Sequence, residues 1–114
     1  MTKLSERRTA SPPPDRQDLY SGLIRIHILF HACEGAIFGL GMMEELARHG
    51  YRTSPGTLYP LLHGLEKRGL LRSRQVRVGR WLRREYRATS SGQQALRVAK
   101  QRVRELFGEI FDIK

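Results

Sequence analysis

The sequence contains a single cysteine, Cys33, so no disulfide can form within the chain and a reducing cytosol is the easier home. It has no apolar run fit to span a bilayer: the longest, Leu23 to Ala36, is broken by Arg25, His27, His31 and Glu34. The opening MTKLSERRTASPPP lacks the apolar stretch of a secretory signal. Motifs of catalysis are missing as well. There is no G-x-S-x-G, no P-loop, no G-x-G-x-x-G in a βαβ setting, and no histidine near a nucleophile other than Cys33. Neither an enzyme nor a bound cofactor is indicated. Acidic residues are few, 11 against 21 Lys+Arg, and the resulting charge of +10 asks for a polyanion, nucleic acid before an anionic membrane.

What is present is the material of one compact domain: 114 residues, 39% hydrophobic and 28% charged. The positive charge is concentrated. Residues 70–88 hold Arg72, Arg74, Arg77, Arg80, Arg83, Arg84 and Arg87 against Glu85 alone, which places +6 of the +10 in that stretch. A face evolved only for solubility intersperses both signs.

Residues 1–17 are polar around Ser11-Pro12-Pro13-Pro14 and are expected to form a flexible arm. Asp18 is placed to cap a first helix in which Leu19, Tyr20, Leu23, Ile24, His27, Ile28 and His31 recur at helical spacing, with Gly35 as its stop. Ile26, Leu29 and Phe30 fall on its other faces, a pattern that suggests burial on several sides, including against a partner subunit. A second helix is expected from Gly39 to His49, with Leu40, Met43, Leu46 and Ala47 inward and Gly50 after its end. Ser54-Pro55-Gly56-Thr57 opens a third, ending at Gly69, with Leu58, Leu61, Leu62 and Leu65 toward the core. Residues 70–78 and 81–88 alternate around Gly79-Arg80 as a two-stranded hairpin. Thr89 then caps a long last helix whose apolar face outreaches so small a core and wants a partner.

The expected fold is therefore mainly α with a two-stranded β wing, a winged helix-turn-helix in the order α-α-α-β-β-α. Its third helix would present side chains to a DNA major groove, and the wing arginines would meet phosphate or a minor groove. The candidate DNA-binding residues are Arg52, Ser54, Thr57, Tyr59 and His63 around the third helix, with Arg74, Arg77, Arg80, Arg83 and Arg84 on the wing. Because strand neighbours alternate, not all five arginines point the same way. For Tyr59 the competing role is packing under the wing, and for His63 a solvated surface position. Lys67 and Arg68 are read as complements to the helix dipole. Trp81 is expected to pack against Tyr86 rather than stack on DNA. Glu66 and Glu85 are read as structural, with a salt bridge from Glu66 to an arginine the simplest role. His27 and His31 share one helical face, with Cys33 just beyond; the set offers metal ligands, although ordinary packing histidines are commoner and Cys33 projects at another angle.

The run SPGTLYPLLHGLEKRGLL, Ser54 to Leu71, followed by RREYRATSSG, Arg83 to Gly92, resembles the PadR family of bacterial winged-helix transcription regulators. The family's G-T-L-Y-P-x-L-x-x-L-E-x-x-G-L motif is complete in Gly56, Thr57, Leu58, Tyr59, Pro60, Leu62, Leu65, Glu66, Gly69 and Leu70. Its R-x-x-Y-x-L-T-x-x-G motif matches at Arg83, Tyr86, Thr89 and Gly92, with Ala88 in place of leucine. Phe38-Gly39 is similar to the family's Y-G, with Leu40 where a tyrosine is common. The resemblance implies a homodimer through the first and last helices and repression at a palindromic operator of double-stranded DNA. It names no effector; a pocket between the dimer helices is the natural place for a small molecule or metal. On this reading residues 1–17 are an arm, 18–88 the DNA-binding domain and 89–114 the dimerisation helix. The competing reading is a winged-helix interaction module that holds an acidic protein or RNA with its basic wing.

Overall fold

The computed structural model describes residues 17–112. The elements in chain order are α1 (Gln17–Glu34), β1 (Ile37–Phe38), α2 (Gly39–Arg48), α3 (Pro55–Lys67), β2 (Leu71–Val78), β3 (Trp81–Ala88) and α4 (Ser90–Ile110). The arm expected over 1–17 lies outside the described residues except for Gln17, which is already helical. Asp18 is therefore inside α1 and does not cap it.

Two strands were expected and three are found. Ile37 and Phe38 add a short strand to β3, opposite Tyr86 and Glu85, so the sheet order is β1-β3-β2 and the arginine-rich β3 lies in the middle. Two residues are too few to display a period of two, which is why β1 was not legible. It gives the hairpin the third strand that an isolated pair needs for stability.

The core joins Ile24, Ile28, Leu29 and Ala32 of α1 with Met42 and Leu46 of α2 and with Leu58, Leu62 and Leu65 of α3. Leu71, Tyr86 and Leu96 complete it from β2, β3 and α4. The inward face of α2 is rotated from expectation: Met42 is buried, whereas Leu40 is 64% exposed and Ala47 faces solvent. Met42 and Leu46 are four apart and meet α1 and α3 together, a spacing that Leu40 and Ala47 do not share with the buried pair. Leu61 is only half-buried.

Both helices of the central pair end the same way. Gly50 donates to the Ala47 carbonyl and Tyr51 to that of Leu46; after α3, Gly69 donates to Glu66 and Leu70 to Leu65. This is the Schellman pattern, and it requires the left-handed backbone found at Gly50 (φ +90°) and Gly69 (φ +81°).

Helix α4 is anchored at its start. The Thr89 hydroxyl accepts from the Gly92 N–H (3.0 Å) and donates to the Gly69 carbonyl (2.6 Å). Gly92 then passes so close to the Leu70 carbonyl and the Leu29 side chain that no Cβ fits. Beyond Leu96 the helix leaves the core, and Val103, Leu106, Phe107 and Ile110 stay exposed. No helix among the described residues is long and apolar enough to cross a membrane.

Candidate nucleic-acid interface

Helix α3 is positioned by its two ends. Ser54 stands at the N-cap in extended conformation, yet its side chain does not bond the helix backbone as a capping serine would. Its Oγ is instead 3.4 Å from Thr57 Oγ1, while its carbonyl accepts from Thr57 and Leu58. Pro55 fills the first helical position and Pro60 lies one turn further on. Ser54, His63 and Arg52 are exposed, Thr57 half-buried and Tyr59 36% exposed. Tyr59 is turned toward α2, with its hydroxyl against Gly39 and its ring 6.3 Å from that of His63. It packs on the first residue of α2.

At the other end of α3, Glu66 holds the wing. Its carboxylate accepts from the Ser73 N–H (3.1 Å) and from the Ser73 hydroxyl (2.9 and 2.8 Å), and Arg84 Nη1 donates to the same hydroxyl at 3.2 Å. The structural role expected of Glu66 is present, but serine takes the place of the arginine. Ser73 was missed; the available signal was strand alternation, which puts Ser73 opposite Tyr86 and so on the core side of the sheet, facing α3.

The same alternation sorts the arginines. Gly79 (φ +62°) and Arg80 form the two-residue turn, with positive φ at the first position only, the geometry of a type II′ hairpin. Pairs directly opposite share a face. Arg77, paired with Leu82, and Arg84, paired with Gln75, therefore lie on the side of Tyr86 and α3. Arg74 and Arg83 lie on the other, with Glu85. Those two are engaged within the protein. Glu85, 5% exposed, is bracketed by Arg74 Nε at 3.6 Å and Arg87 Nε at 3.1 Å. The Arg83 guanidinium sits 3.8 Å from the centre of the Phe38 ring, a cation–π contact supplied by the unexpected strand β1. Among the described residues no hydrogen bond or ion pair engages Arg77 or Arg80. Trp81, expected to pack on Tyr86, is 73% exposed at the wing tip while Tyr86 is fully buried; the two differ in strand parity and point to opposite faces.

The metal candidates separate. His27 stacks near His49 (ring centres 5.0 Å apart) and His31 (6.5 Å), and Glu45 Oε2 lies 3.0 Å from His49 Nε2 and 3.5 Å from His31 Nε2. Cys33 is turned away, packed against the core beside α4, and burial pushes its thiol pKa up against the opposing pull of Lys100 and Arg97. Among the described residues no group of three or more His, Cys, Asp or Glu is arranged to hold a metal ion. Burial lowers the His27 pKa, with help from His49 and His31 and against the pull of Glu45. The hydrogen bond from His49 lowers that of Glu45.

Helices α1 and α4 flank an apolar groove of about 500 Å³ lined by Leu23, Ile26, His27, Phe30, Leu96, Lys100, Val103, Arg104 and Phe107.

Residues 28–98 match the transcriptional regulator PadR-like family. Over 87 residues the chain is 49% identical to the transcriptional regulator Rv3488 of Mycobacterium tuberculosis, covering 76% of this chain and 81% of that protein. Among solved structures, a PadR family transcriptional regulator from Eggerthella lenta is similar with a TM-score of 0.73 and 30% identity, covering 84% of this chain and 85% of that one. A PadR-like transcriptional regulator from Bacillus cereus shares the fold at a TM-score of 0.77 and 22% identity, over 84% of this chain and 95% of that one.

Proposed function

The chain belongs to the transcriptional regulator PadR-like family, a family of regulators rather than enzymes, and from that premise we propose that it is a homodimeric repressor that binds a palindromic operator. The observation that carries this reading is the bond between α3 and the wing through Glu66 and Ser73. It ties the arginine hairpin to the C-terminal end of α3, which supports a helix and a wing acting together, the pairing that a major groove and its flanking phosphates require. In this reading Thr57 and His63 face base edges, and Tyr59, also a candidate from sequence, packs on α2 behind them. Arg52 and Ser54 meet phosphate at the start of α3, and Arg77, Arg80 and Arg84 supply the wing contacts. Arg74 and Arg83 act from the second face, beside Glu85 and Phe38.

Residues 18–88 form the reading unit and 89–114 the dimerisation helix. The apolar groove between α1 and α4, with Leu106, Phe107 and Ile110 exposed beyond it, supports a second copy as its cover, and an effector of unidentified chemistry would enter there to release the operator. Reading chromosomal DNA places the protein in the cytoplasm.

The test is selection of binding sites from a random duplex library, followed by titration of the selected and a scrambled duplex at several salt concentrations. A two-fold-symmetric consensus with half-sites about one helical turn apart, held far more tightly than the scramble, is the expected result. Binding without a consensus that merely collapses as salt rises would leave a basic surface and return the reading to an interaction module.

A further inference from the structure

The wing tip is apolar as well as basic. Trp81 is 73% exposed, Leu82 56% and Val78 43%, and all three adjoin the Gly79-Arg80 turn. Val78 and Trp81 are directly opposite in the strand pair, so their side chains stand together on one face. Among the described residues nothing else covers them: β1 reaches only Tyr86 and Glu85, and α3 meets the wing at Ser73, toward its base. The tip is also remote from the α1–α4 groove. Helix α4 begins after Ala88, and seven strand steps at roughly 3.3 Å each put Trp81 about 23 Å further out. A large aromatic held out at the end of a hairpin marks a contact surface. The charge around it says with what. Arg77 and Arg80 flank the tip with no hydrogen bond or ion pair among the described residues, and an arginine-led apolar tip matches the minor groove, where arginine follows the negative potential and apolar side chains wedge base steps apart.

We propose that the wing tip is a minor-groove wedge in which Arg80 leads and Trp81, backed by Val78, stacks against an opened base step of the bound duplex. This rests on the operator-binding reading above and deepens it: the wing then does more than neutralise phosphate. It selects duplexes that are easily unstacked at one position, such as those with a pyrimidine–purine step under each wing, without hydrogen-bonding to a base.

Trp81 is the only tryptophan in the chain, so intrinsic fluorescence reports the wing tip alone. The selected duplex is titrated into the full chain while Trp81 emission, its quenching by acrylamide and the anisotropy of labelled DNA are followed. The expected result is strong quenching of emission on binding, loss of acrylamide access, and affinity for the selected duplex about ten- to a hundredfold weaker in Trp81→Ala. The salt dependence of that variant stays unchanged because no phosphate contact is lost, and Trp81→Phe recovers most of the affinity. Equal helical circular dichroism in wild type and variants shows that the fold is intact. Selective binding with Trp81 emission and access unchanged, or with Trp81→Ala as tight as wild type, overturns the wedge while leaving the regulator intact. Shielding of Trp81 that rises with protein concentration in the absence of DNA overturns it in favour of self-association through the tip. Failure to prefer the selected duplex over scrambled DNA is the distinct result that overturns the operator reading and the wedge with it.

Discussion

Removing the Glu66 carboxylate should loosen the wing from the reading helix, and the structure allows the size to be worked out. Glu66 accepts from the Ser73 N–H and hydroxyl at 2.8–3.1 Å in a half-buried setting. Hydrogen bonds to a charged group contribute about 1.5–3 kcal/mol each, and partial exposure puts these two at the low end. Against this, a carboxylate in the last turn of a helix opposes the dipole by about 0.5 kcal/mol, and alanine is the better helix former by a few tenths. The net expectation for Glu66→Ala is a loss of about 2 kcal/mol, or roughly 8–16 °C in Tm for a domain of this size. Glu66→Gln keeps an acceptor and should lose about 1 kcal/mol or less. Thermal unfolding followed by circular dichroism at one protein concentration reads the loss, since dissociation of a dimer also shifts Tm. Affinity for the selected duplex, measured well below Tm, should fall as well, because the wing is no longer held at a fixed angle to α3. A Glu66→Ala protein within about 0.5 kcal/mol of wild type would refute the reasoning, for it would mean that Ser73 is as well served by water.

The wing arginines should separate by face: Arg77→Ala and Arg80→Ala should each lower the slope of log affinity against log salt by about one and leave Tm unchanged, whereas Arg74→Ala, which leaves the buried Glu85 with Arg87 alone, should lower stability by about 1 kcal/mol. Equal behaviour of all three in salt titrations and thermal melts would show that the faces are not distinct. Gly92→Ala drives a methyl group into the Leu70 backbone carbonyl and should cost several kcal/mol, read as a lowered urea midpoint; a midpoint equal to that of wild type would mean that α4 shifts freely on α3. The buried Tyr86 hydroxyl has no hydrogen-bond partner among the described residues, so Tyr86→Phe should leave stability equal or raise it by up to about 1 kcal/mol, while a loss beyond 1 kcal/mol in urea denaturation would show that the hydroxyl is satisfied. For pH the sign follows from His27: its pKa is lowered in the fold, so the unfolded chain takes up the proton first, and the stability it contributes is complete above about pH 6.5 and lost as pH falls below that. Glu45, lowered from 4.5, keeps its own contribution until the pH falls further, so chemical denaturation between about pH 7 and 5 should show a decline that His27→Gln flattens; an unchanged slope in that variant would place the titration elsewhere.

The parts of the molecule legible from sequence are those whose signal is local. Pro55 at the head of α3, Gly50 and Gly69 behind two helices, Gly79 in the hairpin turn and Thr89 before α4 each act through their own backbone or that of residues within a turn, and each is found in that role. The misplacements share a different cause: they depend on what meets a side chain across the fold. The inward face of α2 is chosen by α1 and α3 together, which selects Met42 over Leu40. Two residues become a strand at 37–38 only because β3 offers an unpaired edge. Trp81 attracted a pairing with Tyr86 on chemical likeness, although the five positions between them reverse the strand face, a fact available from counting. The wing arginines, expected from alternation to point two ways, resolve further into cations engaged by Glu85, Phe38 or the Ser73 hydroxyl and, among the described residues, Arg77 and Arg80 with no hydrogen bond or ion pair, a distinction that net charge does not carry.

The two recognisable sequence motifs then turn out to be a single structural joint. Gly69 and Leu70, which end the first, receive the Thr89 hydroxyl and the Thr89 N–H (2.6 and 3.1 Å), while Gly92, which ends the second, lies flat on the Leu70 carbonyl. Leu29 of α1 closes the same point from the side of the apolar groove. The end of the reading helix, the root of the wing and the start of α4 are thus bonded at one place, and the other end of α3 is tied through Tyr59 to the first residue of α2. Position and charge of the groups proposed to face DNA are set by α3 and the wing, and this joint connects both to the start of α4. That is why Thr89 and Gly92, which approach no nucleic acid in the proposed mode, belong to the machinery of recognition as much as Arg80 does.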